Sequence, residues 1–430
     1  MGRVLIIAYH FPPCAGSSGL LRSEKLVRYL PEFGWDPVVL TAHPRAYETI
    51  EPGSENKTKS PVLRAFALDT RKHLSLRGSY FGWMALPDRW IAWLLGAVPM
   101  GLRAIRKYRT HVIFSTFPIS TAILIGLVLN RLTGVPWIVD LRDSMTEKEY
   151  PKDVRERKAR RWIEKQAVQR AYYLLFTAKS TRQMYLERYP SLSPDKCILI
   201  PNGYDEDDFS SLAPCQTAHA TPARRIRLLH TGLIYPEERD PLPFFRALAR
   251  LKQERKISSA DLRISLRASG SVVLFQSAIN ELDISDIVEL LPHIPYRQSL
   301  EDCANSDGLL LFQAANCDHQ IPAKAYEYLR VGKAIFALTT QSGDTAALLN
   351  EVGGATIVNL ADEQDIYRQF PVFLAALRSG THPLPRRKSI SRYARRNQTA
   401  ELAKLLAEAG KVKLVAEGKR TVNLAEATDR

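Results

Sequence analysis

The sequence predicts an α/β protein built from two successive doubly wound, Rossmann-like parallel-sheet domains facing a central cleft. Short apolar runs alternate with longer amphipathic segments from Arg3 to Leu360, the pattern of buried parallel strands joined by helices. The alternation lapses once, over an acidic and then Ser/Ala/Pro-rich stretch at 205–224, and afterwards restarts. That break reads as a linker. A chain of 430 residues is long enough for two cores.

RVLIIA (3–8) is the first strand, followed by a Pro/Gly-rich loop and an amphipathic helix near 19–30, with Gly34 as a stop signal. PVVLT (37–41) is the next strand, and an irregular basic stretch follows it. Then come VIFST (112–116), a helix near 119–131 and WIVDL (137–141). A charged helix at 152–171, YLLFTA (173–178) and ILIPNG (198–203) complete a first domain at 1–204. In the second domain, 225–390, RLLHTG (227–232) precedes a helix near 241–253, and LRISLRASG (262–270) precedes one near 273–282. VELLPHI (288–294), GLLLFQ (308–313), AIFALTT (334–340) and ATIVNL (355–360) are further strands. A last helix at 391–410 is expected to pack back towards the first domain, with a charged tail at 411–430.

Sixty Lys and Arg face 45 Asp and Glu, a net charge of +15, which calls for a polyanionic partner. The excess is local. Residues 71–109 hold eight basic residues against Asp88 alone, and 151–170 hold eight against three acids, so the two windows supply +12. The first window also carries Tyr80, Phe81, Trp83, Trp90 and Trp93. Basic residues beside aromatics suit an anionic membrane surface; the alternative is a core helix with a solvated basic side. No nucleic-acid module is visible, so nucleic acid is not an expected partner. Five cysteines without a CxxC exclude a disulfide scaffold or structural zinc site by spacing, and fit a reducing compartment. The opening apolar run is too short for an export signal. Trp90–Leu102, interrupted by Gly96 and Pro99, would make a helix of about 20 Å against a ~30 Å hydrocarbon core. A cytoplasmic protein, peripheral on the inner face of the plasma membrane, is expected.

Three segments invite chemistry. The loop from Phe11 to Gly19 lies between a strand and a helix, where backbone N–H groups can meet an anion. Its glycines are spaced GxxG, unlike the dinucleotide fingerprint, and it reads equally as a turn. Asp205-Glu206-Asp207 has the DxD spacing of a metal-held sugar nucleotide, but it leads into the linker and is read as surface. Lys324 and Glu327 share one face near the start of a helix whose first residue is expected to be Pro322. The dipole there favours negative charge, so the lysine makes sense if both point at an anion such as a diphosphate; a surface Lys–Glu pair is the alternative. The nine histidines show no HxxxH or HxxE spacing, and no metal site is expected.

Five segments, in order, resemble family-4 glycosyltransferases of the GT-B fold. They are YHFPPCAGSSGLLRSEKLVRYLPEFGWDPVVLT, STFPISTAILIGLVLNRLTGVPWIVDLRD, ILIPNGYDEDDF, HTGLIYPEERDPLPFFRAL and IPAKAYEYLRVGKAIFAL. The resemblance covers roughly 1–400. It implies a retaining transfer of a hexose from a nucleotide sugar to a lipid-linked or glycan acceptor in cell-surface polysaccharide synthesis, with no cofactor or metal. Glu327 would hold the ribose, Lys324 and Arg239 would neutralise the diphosphate, and Gly232 would line the donor site. Gly16, Ser17, Gly19 and Arg22 would form the acceptor-side phosphate loop, and Arg142 and Asp143 would be the catalytic pair that places the acceptor. The sequence departs from the family pattern at His319, where an acid usually stands, at Ser144-Met145, and at Leu233. A nucleotide-sugar 2-epimerase of the same fold and a catalytically degenerate membrane scaffold are the alternative readings.

Overall fold

Among the described residues the strands pair in parallel, in two sheets. The computed structural model describes residues 1–15, 18–51, 53–54, 58–77, 79–210 and 225–428. The first sheet contains β1 (Gly2–Ile7), β2 (Trp35–Ala42), β3 (Val62–Ala65), β4 (Val112–Thr116), β5 (Trp137–Leu141), β6 (Tyr173–Phe176) and β7 (Cys197–Leu199), in the order β3-β2-β1-β4-β5-β6-β7. The second contains β8 (Ile226–Thr231), β9 (Leu262–Arg267), β10 (Val288–Leu291), β11 (Gly308–Phe312), β12 (Ala334–Leu338) and β13 (Ala355–Val358), in the order β10-β9-β8-β11-β12-β13. Each sheet grows outward from its first strand, reversing direction between β1 and β4 and between β8 and β11. At such switch points the loops beyond the strand ends diverge and leave room for a ligand.

The pleat of each central strand divides its side chains between two cores. Val4 and Ile6 join Phe114, Ile138, Leu175 and the C-terminal Leu402 and Leu406 on one face. Leu5 and Ile7 join Val38, Ile113, Trp137 and Val139 on the other. In the second sheet, Leu310 and Phe312 pack with Phe244, Phe336 and Phe370, while Leu309 and Leu311 face Tyr326, Tyr328 and Leu329. Apolar side chains on both faces are why these strands read as unbroken apolar runs.

The chain divides into a first unit, 1–201 with 395–430, and a second, 202–394. The stretch predicted as a linker therefore starts inside the second unit. Tyr204 and Phe209 are buried in its core, and Glu206–Phe209 forms one helical turn capped by Asp205; residues 211–224 lie outside the described residues. The last helix begins at Arg395 rather than 391, after a tight turn at Ser391–Tyr393, and continues through the predicted tail to Thr428. Leu402 and Leu406 seat it on the first unit. The short strand β3, VLRA, was not anticipated within the irregular stretch. Among the described residues, Cys14, Cys197, Cys303 and Cys317 are buried and form no disulfide, and no helix is long and apolar enough to cross a membrane.

Trp90–Leu102 becomes the start of the helix Trp93–Lys107, with Trp93 fully buried. Gly96 lets that helix pass directly over the backbone of Phe66: an added Cβ would lie 2.6 Å from Phe66 O and 2.7 Å from Phe66 N. Backbone cannot step aside as a flexible side chain can. Gly96→Ala is therefore expected to cost about 1–3 kcal/mol in overpacking, more than the roughly 1 kcal/mol of helix propensity gained. A lower urea midpoint checks this; an unchanged or higher midpoint contradicts the close approach.

Candidate active site

In the first unit the polar residues collect at the carboxyl ends of β1, β4 and β5. Asp140, fully buried inside an otherwise apolar strand, accepts from Arg22 Nε (3.1 Å) and Nη2 (2.9 Å) and from Thr116 Oγ1 (2.9 Å). Arg22 also donates to Pro201 O (2.9 Å) and Ile200 O (3.2 Å). Arg22 is 4% exposed and ties the helix Ser18–Tyr29 to the sheet. Gly16 and Ser17 lie outside the described residues. Gly19 sits beneath Arg142, whose Nη1 and Nη2 would stand 2.6 Å from a Cβ there, so the glycine makes room for that side chain.

Arg142 and Asp143 directly follow β5. Arg142 is buried, Thr177 Oγ1 donates to its carbonyl (2.6 Å), and its Nε has no hydrogen-bond partner among the described residues. Burial weakens its hold on its proton, while Asp143 and Asp140 strengthen it. His10, just past β1, is pushed down to about 3 by burial and by Arg142, and so is a neutral imidazole. Behind Asp143, buried Glu164 fastens the loop Ser144–Thr146. It accepts from Thr146 Oγ1 (3.0 Å), Tyr185 OH (2.9 Å), Arg188 Nη1 (2.9 Å) and Tyr189 OH (2.6 Å), while Tyr185 OH accepts from Met145 N (3.1 Å).

In the second unit, Gly232 leaves β8 with φ +91°, a left-handed conformation that glycine adopts freely. Lys324 Nζ lies 3.2 Å from where a Cβ would stand on Gly232, and 3.0 Å from His230 Nε2. The His230 ring sits between Leu310 O (2.9 Å) and Gly232 O (3.0 Å). Burial first, then Lys324, holds it well below the usual imidazole range. Lys324 in turn is lowered to about 7, mainly by burial and next by Arg239, against the pull of Glu327 and Cys303. Arg239 ends the turn Pro236–Arg239; Nη1 donates to Leu233 O (3.2 Å), and its buried Nε has no partner among the described residues. Glu327 Oε1 accepts from Tyr296 OH (2.8 Å).

The helix carrying Lys324 and Glu327 spans Ala323–Val331, with Pro322 as its N-cap rather than its first residue. Gly232, Arg239, Lys324 and Glu327 thus surround one spot at the end of β8. Asp205-Glu206-Asp207 is spent elsewhere: Asp205 caps its own helical turn and Glu206 pairs with Arg330 (2.7 Å). His319 contacts Gln320 Nε2 (3.2 Å), and the neighbouring Asp318 accepts from Thr340 Oγ1. No group of three His, Cys, Asp or Glu side chains among the described residues is arranged to hold a metal.

Sequence reasoning missed His10, Asp140, Glu164, His230 and Tyr296. Asp140 and His230 did leave a signal, a polar residue inside an apolar buried run, which must find partners. Tyr296 and Glu164 left none, since they lie in helices of mixed composition.

Two doubly wound parallel-sheet units, with polar residues gathered at their strand ends, are the architecture of the GT-B class of glycosyltransferases. Residues 21–203 match the family described as Glycosyl transferase 4-like domain. A glycosyltransferase from Rickettsia africae superposes with a TM-score of 0.66 at 13% identity, covering 95% of this chain and 98% of the other. Sucrose-phosphate synthase from Thermosynechococcus elongatus gives 0.63 at 14% identity, covering 99% and 100%. Anabaena HepE in complex with UDP and glucose gives 0.60 at 12% identity, covering 98% and 100%. At these identities the likeness shows the fold. No curated protein sequence matches the chain. Domain and fold together indicate a glycosyltransferase of the GT-B type.

Asp140→Ala would strand the buried Arg22 without its counter-charge, a loss of about 3–5 kcal/mol. Replacing both partners by apolar residues, Arg22→Met with Asp140→Leu, is expected to recover most of it. Urea denaturation of the single and double variants checks the pair. A double variant no more stable than the single one contradicts a buried ion pair.

Proposed function

We propose that the protein is a retaining, metal-independent hexosyltransferase that uses a nucleotide sugar and a lipid-linked or glycan acceptor. On this reading it works on the inner face of the plasma membrane in cell-surface polysaccharide synthesis. The observation that carries the donor reading is the pair of cations at Gly232. Lys324 and Arg239 repel each other, both are partly desolvated, and one has an unsatisfied buried nitrogen. A bound diphosphate would satisfy both. The HepE structure, whose bound ligands are UDP and glucose, supports beginning with uridine nucleotides.

The chemistry follows from that placement. Breaking the bond from sugar C1 to the phosphate oxygen builds positive character on the sugar and negative charge on the leaving diphosphate. Lys324 and Arg239, fixed in advance, stabilise that charge as it forms. With no protein nucleophile assigned, the acceptor hydroxyl attacks C1 from the side the diphosphate leaves. Its proton passes to the departing phosphate oxygen, so atoms and charge balance and the anomeric configuration is retained. Glu327, aligned by Tyr296, accepts ribose hydroxyls. Arg142 and Asp143 position the acceptor.

Calorimetry with uridine and with UDP separates these roles. Glu327→Ala is expected to weaken both ligands at least tenfold, the loss of one or two charge-assisted hydrogen bonds of about 1.5–3 kcal/mol each. Lys324→Ala and Arg239→Ala should weaken UDP and leave uridine nearly unchanged. If UDP affinity survives all three substitutions, the donor site is elsewhere. Asp143→Asn should keep donor affinity and lose transfer. Product analysis with donor alone distinguishes the enzyme classes: a C2-epimerised sugar would establish the epimerase and overturn the transferase. Transfer that persists in EDTA supports metal independence.

A further inference from the structure

The two basic windows are separated in the chain by β4, a helix and β5, yet they meet at the base of the first: Arg160, on the buried side of the helix Val154–Arg170, donates to Pro87 O (3.4 Å). We propose that residues 71–83 and the exposed stripe of the helix Val154–Arg170 form one docking face for anionic phospholipid. This gives a location to the membrane attachment suggested above and rests on that reading.

Between β3 and the helix Trp93–Lys107, a loop presents Leu76 (81% exposed), Phe81 (72%) and Trp83 (68%), the two rings stacked with centroids 6.5 Å apart. Arg71, Lys72 and Arg77 are exposed among them, and 71–83 contains no acid. The acids flanking the loop, Asp69 and Asp88, are buried. Asp69 accepts from Arg71 N (3.0 Å) and pairs with Arg89 (3.4 Å), and Asp88 accepts from Thr121 N and Oγ1 (2.8 Å each). The loop is fastened at its base. Thr70 N donates to Arg89 O (2.8 Å), Thr70 Oγ1 to Met84 O (2.9 Å), and Leu76 and Ser79 exchange two backbone bonds (2.8 and 3.0 Å). Its apolar tip is thus held out in water by its own hydrogen bonds.

The second window continues the same chemistry. On Val154–Arg170, exposed Val154, Lys158, Trp162 and Lys165 follow one another at spacings of four, four and three, a single helical stripe with Trp162 half-exposed between two lysines. Of the acids near the helix start, exposed Asp153 is its N-cap, Glu156 pairs with Arg160 (2.5 Å), Glu147 is half-buried and Glu149 is exposed beside Lys148. Arg160 Nε donates to Pro87 O (3.4 Å), which brings this helix against the base of the loop. Leu95, 73% exposed on the intervening helix Trp93–Lys107, adds another apolar side chain, with Arg103 exposed eight residues on.

Large apolar side chains held in water beside cations call for a surface that is both apolar and anionic. A phospholipid interface is both. Aromatic rings can also stack on bases, but Leu76, Leu95 and Val154 cannot, and this favours lipid over nucleic acid. The loop base adjoins the acceptor-side residues: Trp90 packs on Tyr9, centroids 4.8 Å apart, next to His10. A face docked here would bring a lipid-linked acceptor to that end of the unit.

Flotation with vesicles of phosphatidylcholine, with and without phosphatidylglycerol, tests this. Binding is expected only to anionic vesicles and should weaken sharply from about 0.1 M to 1 M salt, as the screening length falls from ~10 to ~3 Å. Each cation removed from the set Arg71→Ala, Lys72→Ala and Arg77→Ala should cost roughly fivefold. The triple variant Leu76→Ser/Phe81→Ser/Trp83→Ser should lose binding and the accompanying blue shift in tryptophan emission. All six residues are exposed, and unchanged circular dichroism confirms folding. Equal binding to neutral vesicles, undiminished binding by either triple variant, or tighter binding to a single-stranded oligonucleotide would overturn the proposal. UDP calorimetry on the same variants should be unchanged. A protein that binds vesicles but no nucleotide keeps the docking face and loses the proposed function; the reverse loses only the face.

Discussion

Parallel pairing is the constraint on which the rest of the structure depends. In a parallel sheet all carboxyl ends lie on one side, so whatever follows each strand is delivered to the same place. In the first unit that brings together His10, Arg142 and Asp143, with Asp140 and Arg22 beneath them. In the second it brings together His230, Gly232 and Lys324. In each unit a histidine stands at or just past the end of the first strand, neutral because burial and a neighbouring cation both disfavour its charged form. The apolar runs that let these strands be buried on both faces are also what places the polar residues that follow them.

The two units treat their cations differently. In the first, Arg22 is answered by Asp140 in a two-pronged pair with further carbonyl acceptors, so its charge serves the fold. In the second, Lys324 meets a neutral histidine and is repelled by Arg239, whose Nε is itself unsatisfied. Native structures rarely leave buried polar groups unserved. An arrangement that costs stability in the free protein and is relieved by an anion is a functional signature. This contrast separates an arginine paired with a buried carboxylate from a lysine set against a neutral ring, which composition and spacing alone do not.

The fold was largely legible because its signal is redundant. WIVDL, GLLLF and AIFAL each bury both faces and cannot be mistaken for solvated segments. β3 was not legible, since VLRA is four residues long and is defined by its pairing with β2. Glu206–Phe209 looked like a solvated linker because four acids in a row mask the one side chain, Phe209, that anchors it. The Lys324–Glu327 spacing placed both on one helix face, but nothing local revealed that the lysine meets His230, 94 residues earlier. The partner of Arg22 was hidden for the same reason: Asp140 is 118 residues away. The window at 71–109 was divided by the fold, Trp93 going to the core while Phe81 and Trp83 stay in water.

The central claim is that Lys324 waits for a phosphate anion. It is tested most directly by the titration of Lys324 itself, followed by NMR on protein labelled at the lysine side-chain carbons and assigned with Lys324→Met. In the free protein Lys324 is expected to titrate at about 7, so above neutral pH the empty site holds an uncharged amine. An anion favours the charged form. Saturating nucleoside diphosphate should therefore raise that value, with proton uptake near pH 8 and affinity that declines as pH climbs through and beyond 7. A Lys324 that titrates near the ordinary lysine value of about 10.4 in the free protein, or whose titration does not move when the nucleotide binds, would contradict the account.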